Sequence, residues 1–192
     1  MGNKSNRRKV LGLATAFMGG IGVTLAAMPF IRSLMPAADK RLPDHNTDIT
    51  KLQPGQILAV TSWGRLVYVL KRSDSMLQSL QAGAWDYADI NSDNSIQPEG
   101  MKNWHRSRHP DLLVVNAQCT HLGCDVGYIP PNQDSSHALG TEGLFFCPCH
   151  GSVFDLAGRV GVEYPAQKNL EIPEYEVNDG ELTIFHPYYP PD

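Results

Sequence analysis

Two short runs of cysteine and histidine in the second half of the chain have the residue types and spacing of a metal site. The first is Cys119-Thr120-His121-Leu122-Gly123-Cys124 and the second is Cys147-Pro148-Cys149-His150-Gly151-Ser152. Together they contain every cysteine of the protein. Thiolates and imidazoles bind zinc or iron–sulfur clusters, whereas magnesium and calcium prefer oxygen ligands. The runs therefore predict a zinc or an iron–sulfur site.

The number of candidate donors is larger than one tetrahedral ion needs. Each run has three, six in all, while a structural zinc ion takes four. One cysteine and one histidine from each run give a Cys₂His₂ set, and the surplus cysteine of each run could then form a disulfide. A disulfide requires an oxidising compartment. A zinc site and a disulfide framework without metal are the alternatives to an iron–sulfur site.

The segments before the two runs are consistent with a location in an oxidising compartment. Residues 1–9 are polar and basic, and residues 10–31 form an uncharged run of 22 residues, which is long enough to span a bilayer as a helix. Basic residues before the span favour a cytoplasmic N-terminus, so the rest of the chain would lie outside the cytoplasm. A signal peptide cleaved near Ala37-Ala38 is the alternative to this anchor. Asn6-Arg7-Arg8-Lys9-Val10-Leu11 resembles a twin-arginine export signal, although the arginine pair also fits simple positive-inside charge.

Residues 32–46 contain two prolines and no periodic pattern, which predicts a linker. From residue 47 to residue 192 the pattern is one of short strands and turns. Hairpins are predicted around Trp63-Gly64 and around Asn178-Asp179-Gly180. Ser75 and Gln78 resemble a capping box for a short helical turn.

The elements that must position the runs are two short apolar strands. Leu112 to Asn116 leads into the first run and Leu144 to Phe146 into the second. Each loop, 117–126 and 145–156, would then continue from a rigid strand. Residues 84–110 are mostly polar and predict a long surface segment. The net charge of −4 gives no indication of nucleic-acid binding.

The two runs resemble the cluster-binding loops of Rieske [2Fe–2S] proteins, in the disulfide-bearing form of the iron–sulfur subunit of bacterial ubiquinol–cytochrome c reductase. The resemblance covers roughly residues 1–186. It implies a mainly β fold, with an antiparallel Rieske head, a small cluster-binding subdomain and one N-terminal transmembrane helix. It also implies one [2Fe–2S] cluster. Cys119 and Cys147 would bind one iron, and His121 and His150 the other, while Cys124 and Cys149 would form the disulfide. His150 would be the histidine that faces the quinol.

Four further positions match, or depart from, the family pattern. Ser152 matches a serine that donates its hydroxyl to a bridging sulfide. Phe154 stands where higher-potential members have a tyrosine that reaches the thiolate of the first run. Because such hydrogen bonds stabilise the reduced form, the phenylalanine predicts a lowered potential, unless it is an ordinary core residue. Leu122 matches the apolar tip residue that screens the cluster and docks in the quinol pocket, with local packing as its alternative role. Pro165 matches part of a shielding loop.

The resemblance implies a redox subunit of an enzyme that is inactive alone. It would accept one electron, with proton coupling, from quinol at a site shared with cytochrome b, and pass it to a c-type cytochrome. The complex would be dimeric in the bacterial inner membrane, with the head in the periplasm. The alternatives are the Rieske subunit of a molybdenum oxidase of the arsenite oxidase type and a periplasmic zinc module without a redox role.

Overall fold

The computed structural model describes residues 3–34, 43–83, 85–131 and 142–187 of the chain. The chain divides into two compact units, Met1–Leu42 and Pro43–Asp192. The first contains helix α1 (Asn3–Leu34). Within it, Asn6–Leu34 is a 29-residue segment long and apolar enough to cross a membrane, and it includes the predicted span 10–31. Its apolar side chains are exposed along its whole length, as a helix surrounded by lipid requires.

The second unit, the head, is built mainly from short antiparallel strands, as predicted. Over its described residues it contains nine strands and one helix: β1 (His45–Asp48), β2 (Ile57–Ser62), β3 (Arg65–Lys71), α2 (Asp74–Ala82), β4 (Leu112–Asn116), β5 (Gly127–Ile129), β6 (Leu144–Phe146), β7 (Val153–Phe154), β8 (Tyr175–Asn178) and β9 (Glu181–Ile184). The strands form three sheets of three strands each, in the orders β1-β9-β8, β2-β3-β4 and β5-β6-β7.

Two-residue turns close the predicted hairpins. Trp63 and Gly64 have φ values of 48° and 76° between β2 and β3, and Asp179 and Gly180 have φ values of 51° and 83° between β8 and β9. Two successive residues with positive φ match the right-handed twist of the flanking strands. The turns therefore fix the registers Ser62↔Arg65 and Asn178↔Glu181.

The three sheets share one hydrophobic core. Every residue of β4 is buried, and the same cluster of apolar side chains includes Tyr175 of β8, Leu182 of β9 and Phe145 of β6. This core supports the ends of β4 and β6, from which the two cysteine–histidine runs continue.

The predicted linker, residues 32–46, needs correction at both ends. Helix α1 continues through Leu34, and His45 and Asn46 belong to β1, which pairs with β9. The polar sequence of β1 hid this strand, because its stability comes from pairing rather than from an apolar face. Residues 35–42, with the considered cleavage site, lie outside the described residues.

The predicted cap of the short helix also needs correction. Helix α2 is capped by Ser73, whose hydroxyl accepts a hydrogen bond from the amide of Met76, and not by Ser75. Gly83, with φ of 62°, ends the helix. The helix buries Met76 and Leu80 in the core.

The prediction that residues 84–110 form a surface segment is wrong. Arg106, Ser107 and Met101 are buried. The guanidinium of Arg106 donates to the carbonyl oxygens of Ala157 and Leu170, which lie far away in sequence. Buried charge is tolerated where hydrogen bonds replace water, and the segment is therefore part of the framework under the site.

Candidate iron–sulfur site

The backbones of the two cysteine–histidine runs form loops of the same kind. The carbonyl of the first cysteine accepts a hydrogen bond from the glycine four residues later, at 2.9 Å from Gly123 to Cys119 and 3.0 Å from Gly151 to Cys147. Both glycines have positive φ, 81° and 77°, a conformation that favours glycine. A glycine four residues after the first cysteine of each run is therefore a local sequence signal for this shared loop.

A disulfide between Cys124 and Cys149 joins the two loops, with the two Cα atoms 6.6 Å apart. It links positions 25 residues apart in sequence. The bond holds together two loops that hang from different strands, and it belongs in an oxidising compartment.

The remaining four donors are separated by depth. Cys119 and Cys147 are free thiols that are each only 2% exposed. His121 is half-buried and His150 is exposed, and their ring centroids lie 4.9 Å apart at an interplanar angle of 86°. The sulfur of Cys147 also lies within 4.8 Å of those of Cys124 and Cys149, but the latter two are consumed by the disulfide. The free donors are therefore two inner sulfurs and two outer imidazoles.

Burial raises the pKa of the Cys119 thiol, and the neighbouring Cys147 raises it further, whereas the amide of His121 and the hydroxyl of Ser152 lower it by hydrogen bonding. A buried thiol with a raised pKa, such as that of Cys119, does not ionise readily unless a cation stabilises the thiolate. Two cysteine and two histidine donors at the ends of two tied loops fit a [2Fe–2S] cluster of the Rieske type.

The other four predicted positions surround these donors. Ser152 is buried, and its Oγ accepts a hydrogen bond of 3.1 Å from the amide of Ala166. Phe154 is 0% exposed and lies opposite Phe145 in the β6–β7 pair. Leu122 is 71% exposed at the loop tip, and Pro165 is exposed. Their roles towards the cluster stay predictions.

A third segment, residues 164–168, contacts both loops. The hydroxyl of Thr120 donates to the carbonyl of Lys168 at 2.5 Å, and the amide of Ala166 donates to Ser152 of the second loop. The sequence reasoning missed Thr120 and Lys168. No local pattern marks this pair, because the two residues are 48 positions apart.

Comparison with known proteins gives two family matches in different parts of the chain. The profile of the Rieske [2Fe-2S] domain matches residues 95–176. The profile described as "Ubiquitinol-cytochrome C reductase Fe-S subunit TAT signal" matches residues 1–37. The second match confirms the predicted twin-arginine signal, and the signal and apolar helix α1 together fit a membrane-anchored bacterial subunit.

Several curated proteins are similar over most of their length. The ubiquinol-cytochrome c reductase iron-sulfur subunit of Allochromatium vinosum is 40% identical over 181 residues, which cover 93% of this chain and 87% of the relative. The subunit of the same name from Rhodospirillum rubrum is 35% identical and covers 95% of this chain and 93% of the relative. A solved structure of a hyperthermophilic respiratory Complex III matches with a TM-score of 0.46 and 17% identity, over 89% of this chain and 98% of that chain.

The sequence relatives decide between the predicted alternatives. They favour the quinol reductase subunit over the subunit of a molybdenum oxidase, and the domain match favours an iron–sulfur cluster over zinc. The chain belongs to the family of ubiquinol–cytochrome c reductase iron–sulfur subunits, and its cofactor is a Rieske [2Fe–2S] cluster.

Proposed function

We propose that the head carries single electrons from quinol, at a site shared with cytochrome b, to a c-type cytochrome of the same complex. The observation that carries this proposal is the separation of donors by depth, with two buried cysteines beneath two imidazoles that reach the surface. When bound, a [2Fe–2S] cluster supplies a one-electron acceptor, with a potential in the range of about −150 to +300 mV for histidine-ligated centres.

The proposed ligands follow from the positions of the four free donors. Cys119 and Cys147 would hold one iron of the cluster, and His121 and His150 would hold the other. Neutral imidazoles in place of two thiolates make the site less negative, which makes adding an electron more favourable. The disulfide ties the two halves of this ligand set, so that both loops keep one geometry.

His150 is the residue proposed to meet the quinol. It is exposed, whereas His121 is half-buried, so the outer ring nitrogen of His150 is the better placed of the two to accept a hydrogen bond from a quinol hydroxyl. That nitrogen takes the proton as the quinol loses an electron, and it releases the proton to solvent after the head has moved away. Electron and proton thus leave the quinol at neighbouring atoms.

Leu122 supplies the apolar contact of this encounter. The Leu122 side chain is 71% exposed at the tip of the first loop, where it is accessible to an apolar pocket of a partner. Docking would also exclude water from the imidazoles. Exposed Pro165 and the rest of the third segment cover the neighbouring side of the site.

The N-terminal unit anchors the head to its membrane. Helix α1 crosses the bacterial inner membrane with the N-terminus in the cytoplasm, and residues 47–192 lie in the periplasm, where the disulfide can persist. The proposed domain plan is a basic segment 1–9, a span 10–31, a linker and the head, and the predicted linker 32–46 is shortened at both ends by helix α1 and strand β1. The complex contains cytochrome b and a c-type cytochrome and is proposed to be dimeric.

The test is purification of the intact complex from membranes through a tag on this chain. We expect b- and c-type haem, two iron atoms per head beyond the haem iron, and quinol-dependent reduction of cytochrome c. Leu122→Ala should lower that activity while the cluster's electron paramagnetic resonance (EPR) signal persists. A chain that purifies without haem and with zinc in place of iron would refute the proposal.

A further inference from the structure

We infer that Asn169 is a positioning residue of the iron–sulfur site. It fixes residues 164–168, which we call the third loop, against both cysteine–histidine loops, and it thereby sets the direction of the Ser152 hydroxyl. The inference rests on the ligand set proposed above and concerns how the protein tunes it. Asn169 is 1% exposed.

All the hydrogen-bonding groups of the Asn169 side chain are engaged. Its Oδ1 accepts from the amide of Val160 at 3.0 Å. Its Nδ2 donates to the carbonyl of Asp89 at 2.7 Å and to the hydroxyl of Ser92 at 3.0 Å. Asn169 therefore joins the segment that follows the second cysteine loop to the loop that begins at Asp89. Replacing the amide would leave buried partners unsatisfied.

The loop at Asp89 is an ordered platform under Asn169. The Asp89 carboxylate accepts hydrogen bonds from the amides of Asp93 and Asn94 and from the hydroxyl of Ser95, at 2.8, 3.1 and 2.6 Å. The same Ser95 hydroxyl accepts a hydrogen bond of 2.8 Å from the backbone amide of Asn169. Both the main chain and the side chain of Asn169 are thus held by this one loop.

The third loop lies immediately before Asn169 in the chain and contacts both cysteine–histidine loops. The carbonyl of Lys168, the residue before Asn169, accepts a hydrogen bond from the hydroxyl of Thr120. The amide of Ala166 donates a hydrogen bond to the hydroxyl oxygen of Ser152. At the other end of the loop, the ring of Tyr164 packs so closely on Gly161 that a Cβ there would lie 2.8 Å from it. Asn169 and Tyr164 therefore anchor the two ends of a loop whose middle contacts the site.

The contact with Ser152 has a direction. A serine hydroxyl has one hydrogen to donate and two acceptor lone pairs. Because the amide of Ala166 donates to Oγ, that contact leaves the hydroxyl hydrogen of buried Ser152 available to a sulfur of the site. A hydroxyl that donates to sulfur stabilises the reduced form and raises the potential. Displacing Ala166 would allow the Ser152 hydroxyl to rotate away from the sulfur, and the midpoint potential would fall.

The experiment compares Asn169→Ala with Asn103→Ala in the full-length protein within its complex. Asn103 is the control, because its side chain also makes three hydrogen bonds. All three are to residues within four positions of it in sequence, Gly100, Ser107 and His105. Ser95→Ala is a milder variant of the same connection, for use if Asn169→Ala does not fold. The readouts are hydrogen–deuterium exchange of residues 164–168 and the midpoint potential of the cluster.

We expect faster exchange in the third loop and a lower midpoint potential for Asn169→Ala, with a smaller shift of the same sign for Ser95→Ala. Asn103→Ala should lower thermal stability without changing the potential. A wild-type potential in Asn169→Ala, with or without faster exchange, would overturn the inference while leaving the proposed function intact. Equal falls in potential in the Asn169 and Asn103 variants would also overturn it. Absence of a Rieske-type EPR signal from the wild-type protein would refute both the proposed ligand set and this inference.

Discussion

The rings of His121 and His150 meet edge to face, 4.9 Å apart, at the surface of two loops whose free cysteines are buried. The two kinds of donor therefore face different surroundings. The cysteine sulfurs are shielded from water and oxidants, while the imidazoles face the molecule that docks against the two loops. This division suits a site that must accept an electron and a proton at nearly the same place.

The disulfide between Cys124 and Cys149 should account for much of the stability of the loops. It closes a segment of 25 residues, and loss of a crosslink of that span costs about 3 kcal/mol in free energy of unfolding. The double variant Cys124→Ala/Cys149→Ala should unfold at a lower temperature than the wild type and lose its EPR signal faster. The control is the wild type treated with a strong reductant, which should behave in the same way. A double variant with wild-type stability would contradict this account.

Phe154→Tyr should raise the midpoint potential, because the family resemblance implies that a tyrosine hydroxyl at this position donates to the thiolate of the first loop. A differential stabilisation of about 1.4 kcal/mol corresponds to about 59 mV for one electron. Phe145→Tyr is the matched control, since Phe145 lies directly opposite Phe154 and is equally buried, but it does not stand at the family's tyrosine position. An unchanged or lower potential in Phe154→Tyr, or an equal rise in both variants, would argue against the hydroxyl account.

Asp89 should make the stability of the head depend on pH in the acid range. Burial raises the pKa of Asp89, but hydrogen bonds from Ser95, Asp93 and Asn94, with nearby Arg106, outweigh it and lower the pKa below its usual value. A carboxylate whose folded pKa is lowered stabilises the fold above its unfolded pKa of about 4, and this stabilisation is lost as the pH falls through the folded pKa.

Asp89→Asn should therefore destabilise the head by about 1–3 kcal/mol at pH 7, and the difference from the wild type should shrink below pH 4. Denaturant unfolding at several pH values measures this. Asp48→Asn, at an exposed carboxylate that accepts hydrogen bonds from Thr50, should have little effect at any pH. A difference between Asp89→Asn and the wild type that stayed constant down to pH 2 would show that the carboxylate charge is not involved.

Trp63 should hold the first residues of the head, beginning at Pro43, in place. Its indole nitrogen donates to the carbonyl of Pro43 at 3.3 Å, and its ring meets that of His186 at 5.0 Å. Trp63→Phe keeps an aromatic ring but removes the donor, so amide exchange in β1 should become faster. Trp104→Phe, at an exposed tryptophan elsewhere in the head, should leave β1 unchanged. Equal exchange in the wild type and Trp63→Phe would show that the hydrogen bond does not hold this junction.

Local patterns predicted the parts of the fold that depend on local physics. The turns at Trp63-Gly64 and Asp179-Gly180 follow from glycine and aspartate, which tolerate positive φ, next to alternating strands. Trp63 itself has a φ of 48°, which bulky residues disfavour. The strand Leu112–Asn116 follows from its continuous apolar run. The cap at Ser73 was missed by two positions, because several serines and an acidic residue compete there and only the tertiary structure selects one.

Long-range polar contacts could not be predicted in this way. Arg72 looks like a surface residue in the sequence, yet it is buried, with hydrogen bonds to the carbonyls of His105, Pro110 and Leu156. Asn169 is equally inconspicuous, and its partners lie up to 80 positions away. The motifs identified the chemistry of the site, whereas the residues that hold it in position become visible only once distant segments are brought together.

The measurement that tests the central claim most directly is pulsed EPR of the reduced full-length protein in its complex, with ¹⁵N-labelled histidine. The account predicts a Rieske-type signal coupled to two histidine nitrogens, and loss of that signal in His121→Ala and His150→Ala. A cluster signal without coupling to histidine nitrogen, or a colourless protein that contains zinc, would contradict the assignment of these residues as ligands.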